Sequence, residues 1–93
     1  MSDAPDKTER RGPTLGFSEF ILSIGTNALE FLGHKDDDMV PSAADLAQAA
    51  QFIDIIAMLK VKTAGNLDPE EQNLIDALLY DLRMKYLEVA NAQ

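Results

Sequence analysis

Few residues in this 93-residue chain have the types and spacing that chemistry demands. His34, followed by Asp36, Asp37 and Asp38, gathers an imidazole and three carboxylates of the sort hard cations take. The spaced ligands, central glycine and closing glutamate of a calcium loop are missing, and three adjacent acids cannot all turn toward one ion. The cluster reads as a solvated loop, and no metal site is expected. Asp54 is the one acid in the apolar run from Phe52 to Leu59. In an antiparallel helical hairpin centred near Asn66 it would lie opposite Leu78, within one turn of Tyr80 and slightly more than one turn from Arg83. A hydrogen bond to Tyr80 or an ion pair with Arg83 is then within reach. Its wheel neighbours Gln51 and Lys62 point instead to simple exposure, and a buried Asp54 would serve specificity of assembly before catalysis. Asp81 and Lys85 stand in the favourable i, i+4 order, while Asp76 and Arg83 read equally as surface charges. Ser18, Ser23 and Ser42 have no histidine beside them, so a nucleophilic mechanism lacks its base. Without a P-loop, GxGxxG, zinc spacing or repeat, the chain is expected to be no enzyme, with no catalytic residue and no cofactor.

Composition narrows the remaining classes. Hydrophobic residues make up 46% and charged residues 26%, the balance of a globular chain. Sixteen acids against eight Lys and Arg give a formal charge of −8. Nucleic acid and anionic membrane are therefore poor partners, since both are bound by neutralising phosphates with bases. No cysteine is present, hence no disulfide framework and no thiolate ligand.

Residues 1–16 balance Asp3, Asp6 and Glu9 against Lys7, Arg10 and Arg11, so the whole net charge belongs to the rest. With Pro5, Gly12 and Pro13 and few apolar side chains, this stretch reads as a disordered tail. The domain is then 17–93. Bases ahead of the apolar run from Phe17 to Leu32 loosely imitate a signal peptide. Glu19 and Glu30 interrupt that run, no small-residue cleavage site follows it, and it is too short and too charged to span a bilayer. The cytoplasm is the expected location.

Three helices account for the rest. Phe17, Phe20, Ile21, Ile24, Ala28, Phe31 and Leu32 recur at three-four spacing, which predicts a helix over about 17–32 closed by Gly33. Within it Ser23, Gly25 and Ala28 are small enough for another helix to approach closely. Ser42, with Asp45 three residues on, opens a second helix over about 43–63 whose core face is Leu46, Ala49, Ala50, Ile53, Ile56 and Ala57. Lys60 and Lys62 sit at its negative end, before Gly65 and Asn66. Asp68 caps a third helix over about 69–90, with Pro69, Glu70 and Glu71 in its first turn. Ile75, Leu79, Leu82, Tyr86 and Val89 follow as a seam of about two heptads. The short link predicts an antiparallel hairpin of the second and third helices, and the first folds back to complete an all-α three-helix bundle.

Each helix carries more apolar surface than so small a bundle consumes. Leu15, Leu22 and Leu29 form a second stripe on the first helix. Phe52, Ile55 and Leu59 widen the second, and Tyr80, Met84 and Leu87 mark the third at i, i+4 and i+7. The surplus predicts burial against another chain, foremost a second copy, with these last six residues as contacts.

Several stretches also carry a resemblance: Phe17-Ser18-Glu19-Phe20-Ile21-Leu22-Ser23 with Ala28 and Leu32-Gly33; Ile53-Asp54 with Met58-Leu59; Lys62-Thr63-Ala64-Gly65-Asn66-Leu67; and Leu79-Tyr80-Asp81-Leu82-Arg83-Met84-Lys85-Tyr86. In this order they resemble the bacterial domain-of-unknown-function family 1844 over nearly everything from Phe17 to Leu87, with the middle loop from Gly33 to Pro41 outside the resemblance. The resemblance implies a short bacterial protein and brings no activity or cofactor with it. It implies recurring positions at Asp54, Thr63, Gly65, Asn66, Arg83 and Tyr86. Thr63, Gly65 and Asn66 are explained as the helix-joining turn. Asp54 and Arg83 are explained only in part, which makes them the polar functional candidates. The expectation is thus a cytoplasmic helical protein acting by protein–protein contact, as a homo-oligomer or with a different protein partner. Its rivals are an accessory subunit of a larger bacterial enzyme and a membrane-surface protein binding through its first helix.

Overall fold

A computed structural model describes residues 16–33 and 40–92. Of the predicted tail over 1–16, residues 1–15 (with Leu15) lie outside the described residues, as does the cluster of His34 and Asp36 to Asp38, while Gly16 is described and caps α1. Three helices follow in order: α1 (Phe17–Phe31), α2 (Ala43–Lys62) and α3 (Pro69–Asn91). Each bound falls within a residue of its expectation, and among the described residues there is no strand.

Local chemistry sets every helix start. Ser42 Oγ accepts from the Asp45 N–H at 3.0 Å, and the Asp45 carboxylate accepts from the Ser42 N–H at 3.0 Å. Asp68 and Glu71 make the same reciprocal pair at 2.8 and 3.0 Å. At α1 the cap is Gly16, which has no side chain to contribute. Its N–H nevertheless donates to Glu19 Oε1 at 3.1 Å. Each box satisfies N–H groups that a helix start leaves without carbonyl partners, and places a carboxylate at the positive end.

The ends are set by backbone freedom. Gly33, just past α1, has φ +76°, the left-handed geometry expected of it. Past α2, the Thr63 hydroxyl donates to the Leu59 carbonyl at 2.7 Å, and the Asn66 N–H donates to the Thr63 carbonyl at 2.9 Å. Gly65 lies inside that turn at φ +85°. Six residues, 63–68, thus reverse the chain between α2 and α3.

All three helices contribute to one core, made by Ile21, Ile24 and Ala28 of α1, Ile53 and Ile56 of α2, and Ile75, Leu79 and Leu82 of α3. α1 meets α2 through a stack of Phe31 on Phe52, with ring centroids 5.9 Å apart. It meets α3 where Gly25 faces Leu78: a Cβ built at Gly25 would stand 3.0 Å from Leu78 Cδ1. The expected close approach at a small residue is therefore made by Gly25 against α3. Phe20 departs from expectation, being 43% exposed. At about 100° per residue it stands about 90° from the centre of the buried stripe of Ile21, Ile24, Gly25 and Ala28. Two neighbouring helices do not wrap that far around a third.

Candidate functional site

The surplus stripes separate once the helices pack. Phe52 and Leu59 are half-buried and lie against the core. Phe52 is held there by its stack on Phe31 of α1. Ile55, between them in sequence, stays on the outer rim at 38% exposure. Most of the α2 stripe is thus consumed inside the chain. On α1, Leu29 likewise packs against the core, while Leu22 remains exposed.

The α3 stripe is different. Tyr80 is 65% exposed, Met84 50% and Leu87 53%. They point away from Ile75, Leu79 and Leu82 because i, i+4, i+7 spacing repeats one direction along the helix, and that direction is about 140° from the core seam. Three large apolar side chains therefore form one uncovered band along the outer side of α3.

Leu87 connects that band to a cleft between α2 and α3. The cleft has a volume of about 310 Å³ and is lined by Ala50, Ile53 and Asp54 from α2 and Arg83, Tyr86 and Leu87 from α3. Both polar candidates are here, on opposite walls. Asp54 and Arg83 are exposed, and neither takes part in an ion pair among the described residues. Tyr80 is not part of the lining, so the residue that shares the cleft with Asp54 is Tyr86. The reason is register. Lys60 Nζ meets Asp76 Oδ1 at 2.7 Å, which marks the hairpin as centred nearer Asp68 than Asn66 and α3 as shifted by about one helical turn relative to the expected pairing. Periodicity alone assigns Ala50 and Tyr86 to the core. Ala50 lies at the edge of its stripe, which is a sequence signal for the cleft, whereas Tyr86 lies near the middle of the α3 seam and only the packing brings it to the cleft.

Charges elsewhere on the hairpin have local explanations. The Asp76 carboxyl is held below its ordinary value of 3.8, chiefly by the hydrogen bond from Lys60; desolvation opposes this, and the Gln72 amide at 3.2 Å and the Lys60 charge add to it. Such a half-exposed pair marks the register and adds little to stability. Lys85 does not close the expected pair with Asp81. Its Nζ lies 3.8 Å from Glu88, one turn toward the C-terminus. Thr63, Gly65 and Asn66 form the α2–α3 turn described above, remote from the cleft. Among the serines, Ser23 donates to the Phe20 carbonyl at 2.8 Å and Ser42 is a cap. Among the described residues, no group of three or more His, Cys, Asp or Glu is placed to hold a metal ion.

The protein is thus a small antiparallel helical bundle with an uncovered apolar band and, beside it, a cleft bearing one acid and one base. A family model described as a domain of unknown function (DUF1844) matches residues 14–88. The chain belongs to that family. No curated protein matches it, and no solved structure does. Within the described residues, no helix is long and apolar enough to cross a membrane.

Proposed function

We propose that this family member works in the cytoplasm by protein–protein contact, associating with copies of itself through the outer side of the α2–α3 hairpin, and that it is a binding protein rather than an enzyme. The observation carrying this reading is the exposed band of Tyr80, Met84 and Leu87, continuous through Leu87 with the cleft between the helices. Apolar side chains scattered singly need no explanation, but a linear band on one helix, opposite its core seam, loses free energy to water unless covered. Symmetric self-association is the common way such a band is covered. The charge of −8 directs any other partner toward basic or apolar proteins and away from lipid and nucleic acid.

Light scattering on the full chain across a dilution series tests the reading. A dimer or larger species persisting at about micromolar concentration is expected, and Leu87→Asp should shift it to monomer with helicity unchanged. Leu22→Asp, on the exposed side of α1, should leave the mass as it is. A monomer throughout the series overturns the reading.

A further inference from the structure

The cleft between α2 and α3 holds an acid on one wall and a base on the other, neither of them in an ion pair among the described residues. We propose that a second copy of this chain docks on that face about a two-fold axis running along the groove, pairing Asp54 of each copy with Arg83 of the other. This rests on the self-association argued above and adds its geometry.

Two faces related by a two-fold axis can meet only if the axis lies in the plane of contact. Centred on the cleft, that leaves two principal directions. An axis across the helices sets α2 on α2 and α3 on α3, so Asp54 meets Asp54 and Arg83 meets Arg83. An axis along the groove sets α2 of one copy on α3 of the other. Asp54 and Arg83 line one cleft, so they stand at similar heights along the hairpin. The second axis therefore brings each against its opposite charge, twice over. Like charges facing one another penalise the first arrangement.

Helix direction is met by either axis, so charge makes the choice. α2 and α3 are antiparallel within the chain, and the groove axis preserves their directions. Each α2 then has antiparallel α3 neighbours on both sides, the up-down order of four-helix bundles. Ala50 is small enough for backbones to approach, and Tyr86 and Leu87 would be covered. Size agrees as well. α2, at 20 residues, is about 30 Å long. Two helices side by side give a face of about 600 Å² in projection, and its corrugated surface approaches the roughly 800 Å² per partner of a standard interface. Charge pairs within such an apolar contact set register, since any slip leaves four charges covered and unpaired.

The test uses full-length Asp54→Arg and Arg83→Asp, separately and mixed. Alone, each variant places two like pairs across the axis, and its dimer should weaken at least about thirtyfold. Mixed in equal amounts they should form a heterodimer. The Asp54→Arg chain then presents a base at both positions and the Arg83→Asp chain an acid at both, so each of the two pairs joins opposite charges. Native mass spectrometry with one variant isotope-labelled reads the heterodimer directly, and circular dichroism confirms that each variant is helical. Recovery of dimer only in the mixture is the expected result. If the unaltered chain is dimeric but mixing restores nothing, this geometry is wrong while self-association stands. If the unaltered chain is monomeric, both are wrong.

Discussion

The contact between Gly25 and Leu78 permits a stability prediction whose sign depends on its surroundings. Gly25 lies within α1 and is buried. Replacing it by alanine recovers about 1 kcal/mol of helix propensity. The new methyl would stand 3.0 and 3.1 Å from the two terminal carbons of Leu78 and 3.4 Å from its Cγ. Leu78 is half-buried against the core, so it can yield by a few tenths of an ångström, at a cost at the low end of the ~1–3 kcal/mol seen for overpacking. Gly25→Ala should therefore be neutral to about 1 kcal/mol destabilising. Leu78→Ala removes the obstructing atoms and, as a partly buried truncation, should itself cost about 2 kcal/mol. In that background Gly25→Ala should become stabilising by about 1 kcal/mol. The coupling between the two sites is then about 1–2 kcal/mol. Urea unfolding of the four proteins, followed by far-UV circular dichroism at one fixed protein concentration, measures it. An equal effect of Gly25→Ala in both backgrounds, within about 0.3 kcal/mol, would refute a direct α1–α3 contact at this point.

Two further outcomes follow from the hairpin. Gly65 has φ +85° and open space around its Cβ position, so Gly65→Ala should cost about 1 kcal/mol through backbone strain alone, and Gly65→Asn less, because asparagine tolerates the left-handed region; urea midpoints would order the three proteins. The Asp76 carboxyl titrates below 3.8 in the folded chain, so its stabilisation is present above about pH 3.8 and is lost as pH falls through the lowered value. Lys60→Met should move the Asp76 titration upward in carbon-detected NMR and reduce that acid dependence, and an unmoved titration would contradict the ion pair.

How much of this is legible in the sequence depends on the range of the forces involved. The helix starts are legible because Ser42 with Asp45, and Asp68 with Pro69 and Glu71, act within four residues. Gly33 and Gly65 mark ends for the same reason, since only the local backbone has to tolerate positive φ. The core seam of α3 is legible because its two apolar stripes lie about 140° apart and do not merge. Phe20 is not, because its fate depends on how far α2 and α3 reach around α1, which no periodicity within α1 encodes. The α2 stripe fails similarly: nothing within α2 says that Phe31 of another helix will stack on Phe52. Register between α2 and α3 lies about a turn from the sequence expectation, because the six-residue connection leaves the centre of the hairpin open. The packing of the seams settles it, and the Lys60–Asp76 pair forms where that packing puts it. Asp54 and Arg83 both stand out in the sequence, but their presence in one cleft with Tyr86 emerges only after that shift.

The two connections differ in length, and this has a kinetic consequence. Eleven residues separate α1 from α2, whereas six separate α2 from α3. Closing the shorter link loses less chain entropy, and its turn, caps and ion pair are all near in sequence. The hairpin is thus the element favoured to organise first, with α1 arriving afterward as a strut that seals one side. Before it arrives, the hairpin is bare on two sides, the one α1 will occupy and the one bearing the cleft. A chain caught at that moment by another hairpin could exchange α1 between copies, and dilution during refolding, or the lengthening of the first connection, would change how often that happens.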